Sequence, residues 1–349
     1  MLNRRSFLTA TVAASSASLL PHQAQSQGVH TLRFATFQPP TSYTWTQMLK
    51  PWMDKVERES NGRLRFEGYP AMQLGGNSSQ LYEQAREGIA DVVWTLPGYT
   101  AGRFPRTEVF ELPFLMNNAE ATSKALWDYI QTRAADEFKD THLLAMHVHG
   151  PGVIHTQKPV LSAGDLKGMK IRGPTRQVTK LLRNLGATPV GMVLPQIPDA
   201  LSKGSIDGCA LNWEVVPAVK VQELTKFHAE FPANSPALYT TSFVMTMNKA
   251  KYEALPADLK RVLDANSGQA LSGWLGKTQQ LGDANGRKLA QDRGNQIHTF
   301  TEEQTKTFVK LSESVDDEWM QDMNNRGFDG PGLVKTAKEL IAKHGGNTR

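Results

Sequence analysis

Hydrophobic and polar positions along the chain follow two spacings, a period of two residues and a helical period near 3.6. Apolar runs with a period of two predict strands, and longer amphipathic segments between them predict helices. The predicted strands cover 32–37, 64–69, 91–96, 143–148, 153–156, 169–172, 206–211 and 239–247. The predicted helices cover 43–59, 79–87, 119–139 and 175–185, a further one that starts near 195, and a last one at 301–324. Repeated strand–helix order predicts an α/β fold with largely parallel strand pairing.

Two of the predicted helical segments contain residues that interrupt helices. Pro51 lies inside the first helix and predicts that it kinks or splits in two. From 256 to 294 the pattern is helical almost throughout, and a helix of that length can brace two lobes. Gly268, Gly273 and Gly276 inside this stretch predict bends or close packing against a neighbour.

The first 26 residues have the layout of an export signal. Two arginines in "NRRSFL" precede a modest apolar run at 7–20, which is too short to span a membrane. Small residues at 24–26 suit a cleavage site, so we expect an exported, periplasmic mature chain that begins near residue 27. The arginine pair is typical of a twin-arginine signal, although Asn3 departs from its Ser or Thr, and an ordinary secretory signal is the alternative.

Composition limits the function classes that need to be considered. The chain has 349 residues, which suggests two domains, and its 40% hydrophobic content allows a well-buried core. The formal charge of +5 comes without a long Lys/Arg block, so we expect no nucleic-acid partner. The single cysteine, Cys209, cannot form an internal disulfide, and its apolar surroundings favour a buried thiol over a nucleophile.

A weak internal repeat also suggests two lobes of related build. The stretches "EGIADVVW" and "KGSIDGCA" both place Gly-x-x-Asp between a helix and a strand. Glycine and aspartate are common turn residues, so chance is the alternative explanation.

Enzyme motifs are absent from the sequence. It contains no G-x-S-x-G, no phosphate-binding P-loop, no H-E-x-x-H, no C-x-x-C and no G-x-G-x-x-G. The stretch "HVHGPG" puts His147 and His149 on the same side of a strand, with His155 nearby. A metal site would need a third or fourth ligand, so the simpler interpretation is that one histidine is packed and the other forms a hydrogen bond at the strand end. A separate hypothesis is that His149 donates a hydrogen bond to a ligand in a cleft.

Three strand ends carry candidate binding residues. Arg172 stands where a short strand stops at Gly-Pro, and its planar guanidinium fits a carboxylate through two parallel hydrogen bonds. Asn212 and Trp213 follow another strand, where the structural alternative is a helix cap and a core indole. Tyr99 lies in a glycine-containing loop that suits either a cleft or an ordinary turn.

The order of several motifs resembles the substrate-binding proteins of tripartite ATP-independent periplasmic (TRAP) transporters, the DctP-like family. The resemblance covers roughly residues 30 to 340. Its markers are "NGRLRFEGYPAMQLGG", "GIADVVW", "GRFPRTEVFELPF", "DLKGMKIRGP", "LGATPVGM", "LSKGSIDG" and "MNKAKYEALPADL".

This resemblance implies a two-lobed periplasmic-binding-protein fold with a long helix that spans both lobes. Lobe I is expected at 27–150 and about 239–265, lobe II at 151–238, and bracing C-terminal helices at about 256–349. A carboxylate ligand sits in the cleft of such proteins, and closure follows binding. The family's carboxylate-binding arginine stands in the K-[IVM]-R-x-P stretch, so the resemblance assigns that role to Arg172.

The resemblance also points to the rest of the pocket. The family often has Asn after its I-D-G strand, and Asn212 is displaced by about two residues from the commonest pattern. Leu194 takes a pocket-lining position, and His149 stands where many relatives place a second arginine. Losing that cation disfavours sugar acids with many polar groups.

The expected pocket is therefore apolar with a single cation. It suits a monocarboxylate with an apolar or aromatic body, such as a 2-oxo or 2-hydroxy acid. The residues expected to contact the ligand are Arg172 as the anchor, Phe37, Tyr99, Leu194 and Trp213 around its body, Asn212 as a polar contact, and Gln38 and His149 at its second oxygen.

The predicted function is capture of a carboxylate and its delivery to TRAP membrane permease subunits. The protein is expected to be a monomer without catalytic activity, cofactor or metal. One alternative is an exported enzyme that holds its substrate with Arg172 and uses His149 as acid–base, although a nucleophile is missing. The other is a ligand sensor for a membrane receptor with the same pocket.

Overall fold

The computed structural model describes residues 28–346, so the predicted export signal at 1–26 lies outside the described residues. The strands are β1 (His30–Thr36), β2 (Leu64–Tyr69), β3 (Val92–Thr95), β4 (Thr141–Val148), β5 (Gly152–Thr156), β6 (Lys170–Gly173), β7 (Thr188–Gly191), β8 (Gly208–Asn212), β9 (Phe227–Glu230), β10 (Ser242–Asn248) and β11 (Gln296–Thr299). The α-helices are α1 (Lys50–Glu59), α2 (Leu81–Arg86), α3 (Ala119–Tyr129), α4 (Arg176–Asn184), α5 (Ile197–Ser202), α6 (Val221–Leu224), α7 (Lys249–Glu253), α8 (Ala257–Ala265), α9 (Gly268–Asp292), α10 (Glu302–Asn325) and α11 (Gly330–Lys343).

The strands form two mixed sheets. The first has the order β2-β1-β3-β10-β4, and the second has the order β11-β9-β5-β8-β6-β7. The prediction of largely parallel pairing holds only in part: within residues 28–346 five strand pairs are parallel and four are antiparallel, because β10 and β5 are each antiparallel to both of their neighbours. Each of these strands follows a strand of the other sheet along the chain, β5 after β4 and β10 after β9, and each runs opposite to its two neighbours.

The long helical stretch is two helices. It breaks after α8, and α9 begins at Gly268, whose φ of +81° suits glycine. With 25 residues, α9 is about 37 Å long. A Cβ at Gly276 would lie 2.5 Å from the carbonyl oxygen of Ala119 in α3, and one at Gly286 would lie only 1.9 Å from that of Trp213. This long helix therefore packs closely against elements beside both sheets.

The helix around Pro51 is continuous, so the predicted kink or split appears only as a change of helix type, with Leu49 and Lys50 both in the α conformation. A wider π-helical segment at Thr44–Leu49 precedes α1, and Pro51 occupies the first turn of α1. The missing N–H of proline costs least in a first turn. Three short strands were not predicted from the sequence, namely β7, β9 and β11.

The buried apolar side chains form two large clusters. One includes Phe34 and Trp94 of the first sheet, and the other includes Trp319 of α10 together with Val178 of α4. No helix within 28–346 combines the length and the apolar character that crossing a membrane requires.

Candidate functional site

A small cavity with about 30 Å³ of free space lies between the strand ends of the two sheets. Its position follows from the topology, because the carboxyl ends of β1, β3, β6 and β8 meet the amino end of β10 there. Seven of the eight predicted ligand-contact residues line it, namely Phe37, Gln38, Tyr99, His149, Arg172, Leu194 and Asn212. Their contact with a ligand stays a prediction.

Arg172 is buried in the wall of this cavity with only 2% of its surface exposed. Its Nε donates to the carbonyl oxygen of Met192 at 2.9 Å, and its Nη1 donates to that of Ala210 at 3.0 Å. Backbone carbonyls fix the guanidinium without neutralising it. Across the part of the chain that the structure describes, no carboxylate forms an ion pair with Arg172. A buried cation of this kind favours an anionic ligand.

Tyr99 lies beside this cation. Its hydroxyl oxygen accepts the backbone N–H of Leu194 at 3.0 Å, which leaves the hydroxyl proton to donate elsewhere. Burial raises the pKa of Tyr99, and the nearby Arg172 guanidinium opposes that effect. The phenol is therefore a neutral donor next to the position that an anion would occupy.

His149 lines the cavity but is engaged by the backbone at both ring nitrogens. Its Nδ1 lies 2.5 Å from the carbonyl oxygen of Gly150, and its Nε2 accepts the N–H of Thr241 at 3.1 Å. Burial lowers the pKa of His149 to about 4, and the Arg172 charge adds to that effect. The ring is neutral with the proton on Nδ1. The prediction that His149 donates a hydrogen bond to a ligand is therefore wrong in this arrangement.

Trp213 is the predicted contact residue that the structure places away from the cavity. Its indole Nε1 donates to Oε2 of Glu230 at 3.0 Å, and its ring packs against those of His155 and His228. A buried indole N–H needs an acceptor, and Glu230 on β9 supplies it. The structural alternative, a core tryptophan, is correct, so the prediction of a ligand contact for Trp213 needs correction.

A buried polar network closes the cavity on the side of α9. Glu214 accepts both the N–H and the hydroxyl of Thr44 at its Oε1. At its Oε2 it accepts the side-chain amides of Gln279, at 3.2 Å, and Asn212, at 3.5 Å. Burial raises the pKa of Glu214, and these hydrogen bonds oppose the rise. The network fixes the orientation of two amides that line the cavity.

Sequence reasoning missed several residues of the lining. The remaining lining residues are Leu96, Pro174, Leu211, Val215, Tyr239, Thr241, Phe243 and Gln279. Strand ends gave a signal for Leu96 and Leu211, which end predicted strands. Residue type alone does not distinguish the buried Gln279 from the half-buried Gln269 and Gln280 of α9, because its burial depends on packing against the elements that follow β8.

The other candidate groups are structural. His147 accepts the indole N–H of Trp94 at 2.8 Å, and Nδ1 of His155 lies 2.7 Å from Nδ1 of His228. Within residues 28–346 no cluster of three or more His, Cys, Asp or Glu side chains could hold a metal ion. Burial raises the pKa of the Cys209 thiol to about 12, so this group is an unreactive thiol.

Comparison with known proteins adds a family and several similar structures. Residues 34–322 match the model of the DctP family, described as bacterial extracellular solute-binding protein, family 7. A TRAP solute-binding protein from Rhodoferax ferrireducens T118, in complex with copurified benzoate, is 60% identical with a TM-score of 0.90. That match covers 90% of this chain and 98% of the other.

Two further structures are similar. A marine metagenome TRAP solute-binding protein specific for aromatic acid ligands, in complex with 3-hydroxybenzoate, is 48% identical with a TM-score of 0.89. That match covers 91% of this chain and 99% of the metagenome protein. A TRAP periplasmic solute-binding protein from Bordetella bronchiseptica, with bound mandelate, is 25% identical with a TM-score of 0.82. That match covers 90% of this chain and 99% of the Bordetella chain.

Proposed function

We propose that this chain, which belongs to the DctP family of bacterial extracellular solute-binding proteins, captures a small aromatic monocarboxylate in its cleft. Membership in this family makes it a solute-binding protein of a TRAP transporter and not an enzyme. The ligand is delivered to the membrane permease subunits of that transporter.

The observation that carries the proposed ligand is the unpaired charge of Arg172. Removing a guanidinium from water costs several kcal/mol when no anion compensates it. Among residues 28–346, only backbone carbonyls accept the hydrogen bonds of its Nε and Nη1. A ligand carboxylate beside the guanidinium would complete a charge-assisted pair, and Tyr99 would donate to its second oxygen.

The rest of the lining selects an apolar body. Phe37, Leu96, Leu194 and Phe243 surround the cavity, so a bound ligand would contact a mainly apolar lining. Phe37 packs against Tyr99 with ring centroids 5.4 Å apart and ring planes inclined at 53°, which places two aromatic rings beside the cavity. The aromatic acids bound by the similar structures support a planar ring as the body of the ligand.

Capture proceeds by closure of the cleft around the ligand. Phe37 and Tyr99 belong to the side of the first sheet, and Arg172 belongs to the second. A ligand that contacts both sides stabilises the closed state through those shared contacts. The mature protein acts in the periplasm as a monomer after removal of residues 1–26. The alternative function, a ligand sensor for a membrane receptor, would use the same pocket. Its protein partner would be that receptor and not the permease subunits.

A ligand panel tests this proposal. The mature protein, unfolded and refolded to remove copurified ligand, is heated with benzoate, with a branched 2-oxo acid and with the sugar acid gluconate. At a thousand times its dissociation constant a ligand adds about 4 kcal/mol, which corresponds to roughly 5–10 °C in melting temperature. We expect the largest rise with benzoate. A larger rise with gluconate would contradict the apolar pocket.

A further inference from the structure

Two glutamines that line the cavity each have a buried amide oxygen without a hydrogen-bond partner among residues 28–346. Gln38 is 2% exposed and Gln279 is 1% exposed, and both line the cavity. Within the described part of the chain, Oε1 of each side chain lacks a donor. Buried polar atoms in folded proteins are paired in the great majority of cases, so two orphans in one cavity require an explanation.

The orientation of the Gln279 amide is fixed by its neighbours. Its Nε2 donates to Oε2 of Glu214, and Thr44 donates twice to the other oxygen of that carboxylate. Because Glu214 is an acceptor at both oxygens, the amide nitrogen of Gln279 must face Glu214. The amide oxygen of Gln279 then points away from Glu214 and has no donor among the described residues. Gln38 is held through its backbone, which bonds to the hydroxyl of Thr36 and to the N–H of Ala71.

A simple aromatic carboxylate cannot satisfy these oxygens. Its carboxylate only accepts hydrogen bonds, and its ring offers no O–H or N–H donor. A ligand such as benzoate would therefore pair with Arg172 and still leave Oε1 of Gln279, whose orientation is fixed by Glu214, without a donor. Leaving buried acceptors unpaired lowers affinity, and sites that hydrogen-bond a hydroxyl strongly reject analogues that lack it.

We infer that the natural ligand is an aromatic carboxylate that carries a hydroxyl group, on the ring or on the carbon beside the carboxylate. The hydroxyl donates to Oε1 of Gln279 or Gln38, while the carboxylate pairs with Arg172. This inference deepens the proposed function and rests on it. An ordered water at the two oxygens is the competing explanation, and it predicts no preference for hydroxylated ligands.

Calorimetric titration with matched ligands tests the inference. Each isomer of hydroxybenzoate is compared with the fluorobenzoate of the same substitution, which is similar in size and cannot donate, and mandelate is compared with phenylacetate. In the wild-type protein at least one hydroxylated acid should bind ten times more tightly than its matched acid, or better. That ratio should fall below threefold in Gln279→Met or in Gln38→Met.

A third glutamine provides the matched control variant. Gln84 is also buried with an unpartnered Oε1, but it lies outside the cavity. Gln84→Met should keep the full preference for hydroxylated acids. This result would show that the loss in the other two variants comes from their position in the cavity and not from a glutamine-to-methionine change in general. Melting temperatures of all three variants verify that they fold.

The outcomes separate this inference from the proposed function. Equal affinities for hydroxylated and matched acids in the wild-type protein, or a preference that survives in both cavity variants, would overturn the hydroxyl inference alone. If no aromatic acid binds the refolded protein, the proposed function fails as well.

Discussion

Single side chains around Arg172 decide how a carboxylate would be held. His149 is neutral and bonded to the backbone at both nitrogens, so it contributes a ring face and no donor. The hydroxyl oxygen of Tyr99 accepts a hydrogen bond from the backbone N–H of Leu194, so its O–H group is free to donate to a ligand. We therefore expect the second donor to a ligand carboxylate to be the phenol of Tyr99, on the side of the first sheet.

Replacing Tyr99 with phenylalanine tests this assignment. A hydrogen bond to a charged group contributes about 2 kcal/mol, so benzoate should bind roughly 30-fold more weakly to Tyr99→Phe in calorimetric titration. Tyr252→Phe, which removes a phenol that lies outside the cavity, serves as the control and should leave the affinity unchanged. An unchanged affinity in Tyr99→Phe would exclude the proposed hydrogen bond.

Glu111 is a second side chain whose environment has a measurable consequence. It is 2% exposed, and burial raises the pKa of its carboxyl to about 8. The nearby Thr175 hydroxyl, the N–H of Ser242 and the charge of Arg176 oppose this rise, while Glu108 adds to it. The carboxyl is therefore protonated in the folded protein at neutral pH and ionised in the unfolded chain.

This difference makes stability depend on pH. The folded state binds the proton more tightly, so the stabilisation is complete below about pH 4.5 and declines as pH rises towards 8. The wild-type free energy of unfolding, measured relative to Glu111→Gln by urea titration, should fall by roughly 1.4 kcal/mol per pH unit between pH 5 and 8. Histidine titrations cancel in this difference. A difference that is constant across that range would contradict the raised pKa.

Among the elements, α9 has the most demanding packing. Its glycines lie against neighbouring backbone, and the space at Gly286 is filled by the carbonyl group of Trp213. At Gly273 the nearest atoms belong to the flexible side chain of Lys124. The same substitution should therefore cost much more stability at Gly286 than at Gly273.

Alanine at each glycine measures that packing. Alanine improves helix propensity by about 1 kcal/mol, whereas a Cβ overlapping backbone typically costs more than it gains. Gly286→Ala should lower the free energy of unfolding by about 2 kcal/mol or more, and Gly273→Ala should leave it within about 1 kcal/mol of the wild type or raise it. Equal effects in urea titrations would refute close backbone packing at Gly286.

The elements also show what local sequence can predict. Long amphipathic segments and buried strands were predicted because their periodicity is strong, as in β4 and α4. The missed strands β7 and β11 have four residues each and lie at the sheet edge, where Pro189 of β7 is tolerated. Their pairing comes from long-range contacts, which a local pattern does not contain.

At the scale of the whole molecule, the position of the cavity was largely predictable and its polar chemistry was not. Seven predicted residues meet there because strand ends converge at one edge of each sheet. The orientation of Trp213 depended on an acceptor at Glu230, and the role of Gln279 depended on how α9 packs. Both depend on contacts across the fold, between residues distant in sequence.

The central claim is that the buried charge of Arg172 binds a ligand carboxylate, and one comparison tests it most directly. Calorimetric titration measures benzoate and its uncharged analogue benzamide against the wild-type protein and Arg172→Met. We expect the wild type to prefer benzoate by about 100-fold or more, equivalent to about 3 kcal/mol, and the variant to lose that preference. A variant that folds and still binds benzoate as tightly as the wild type would contradict the claim.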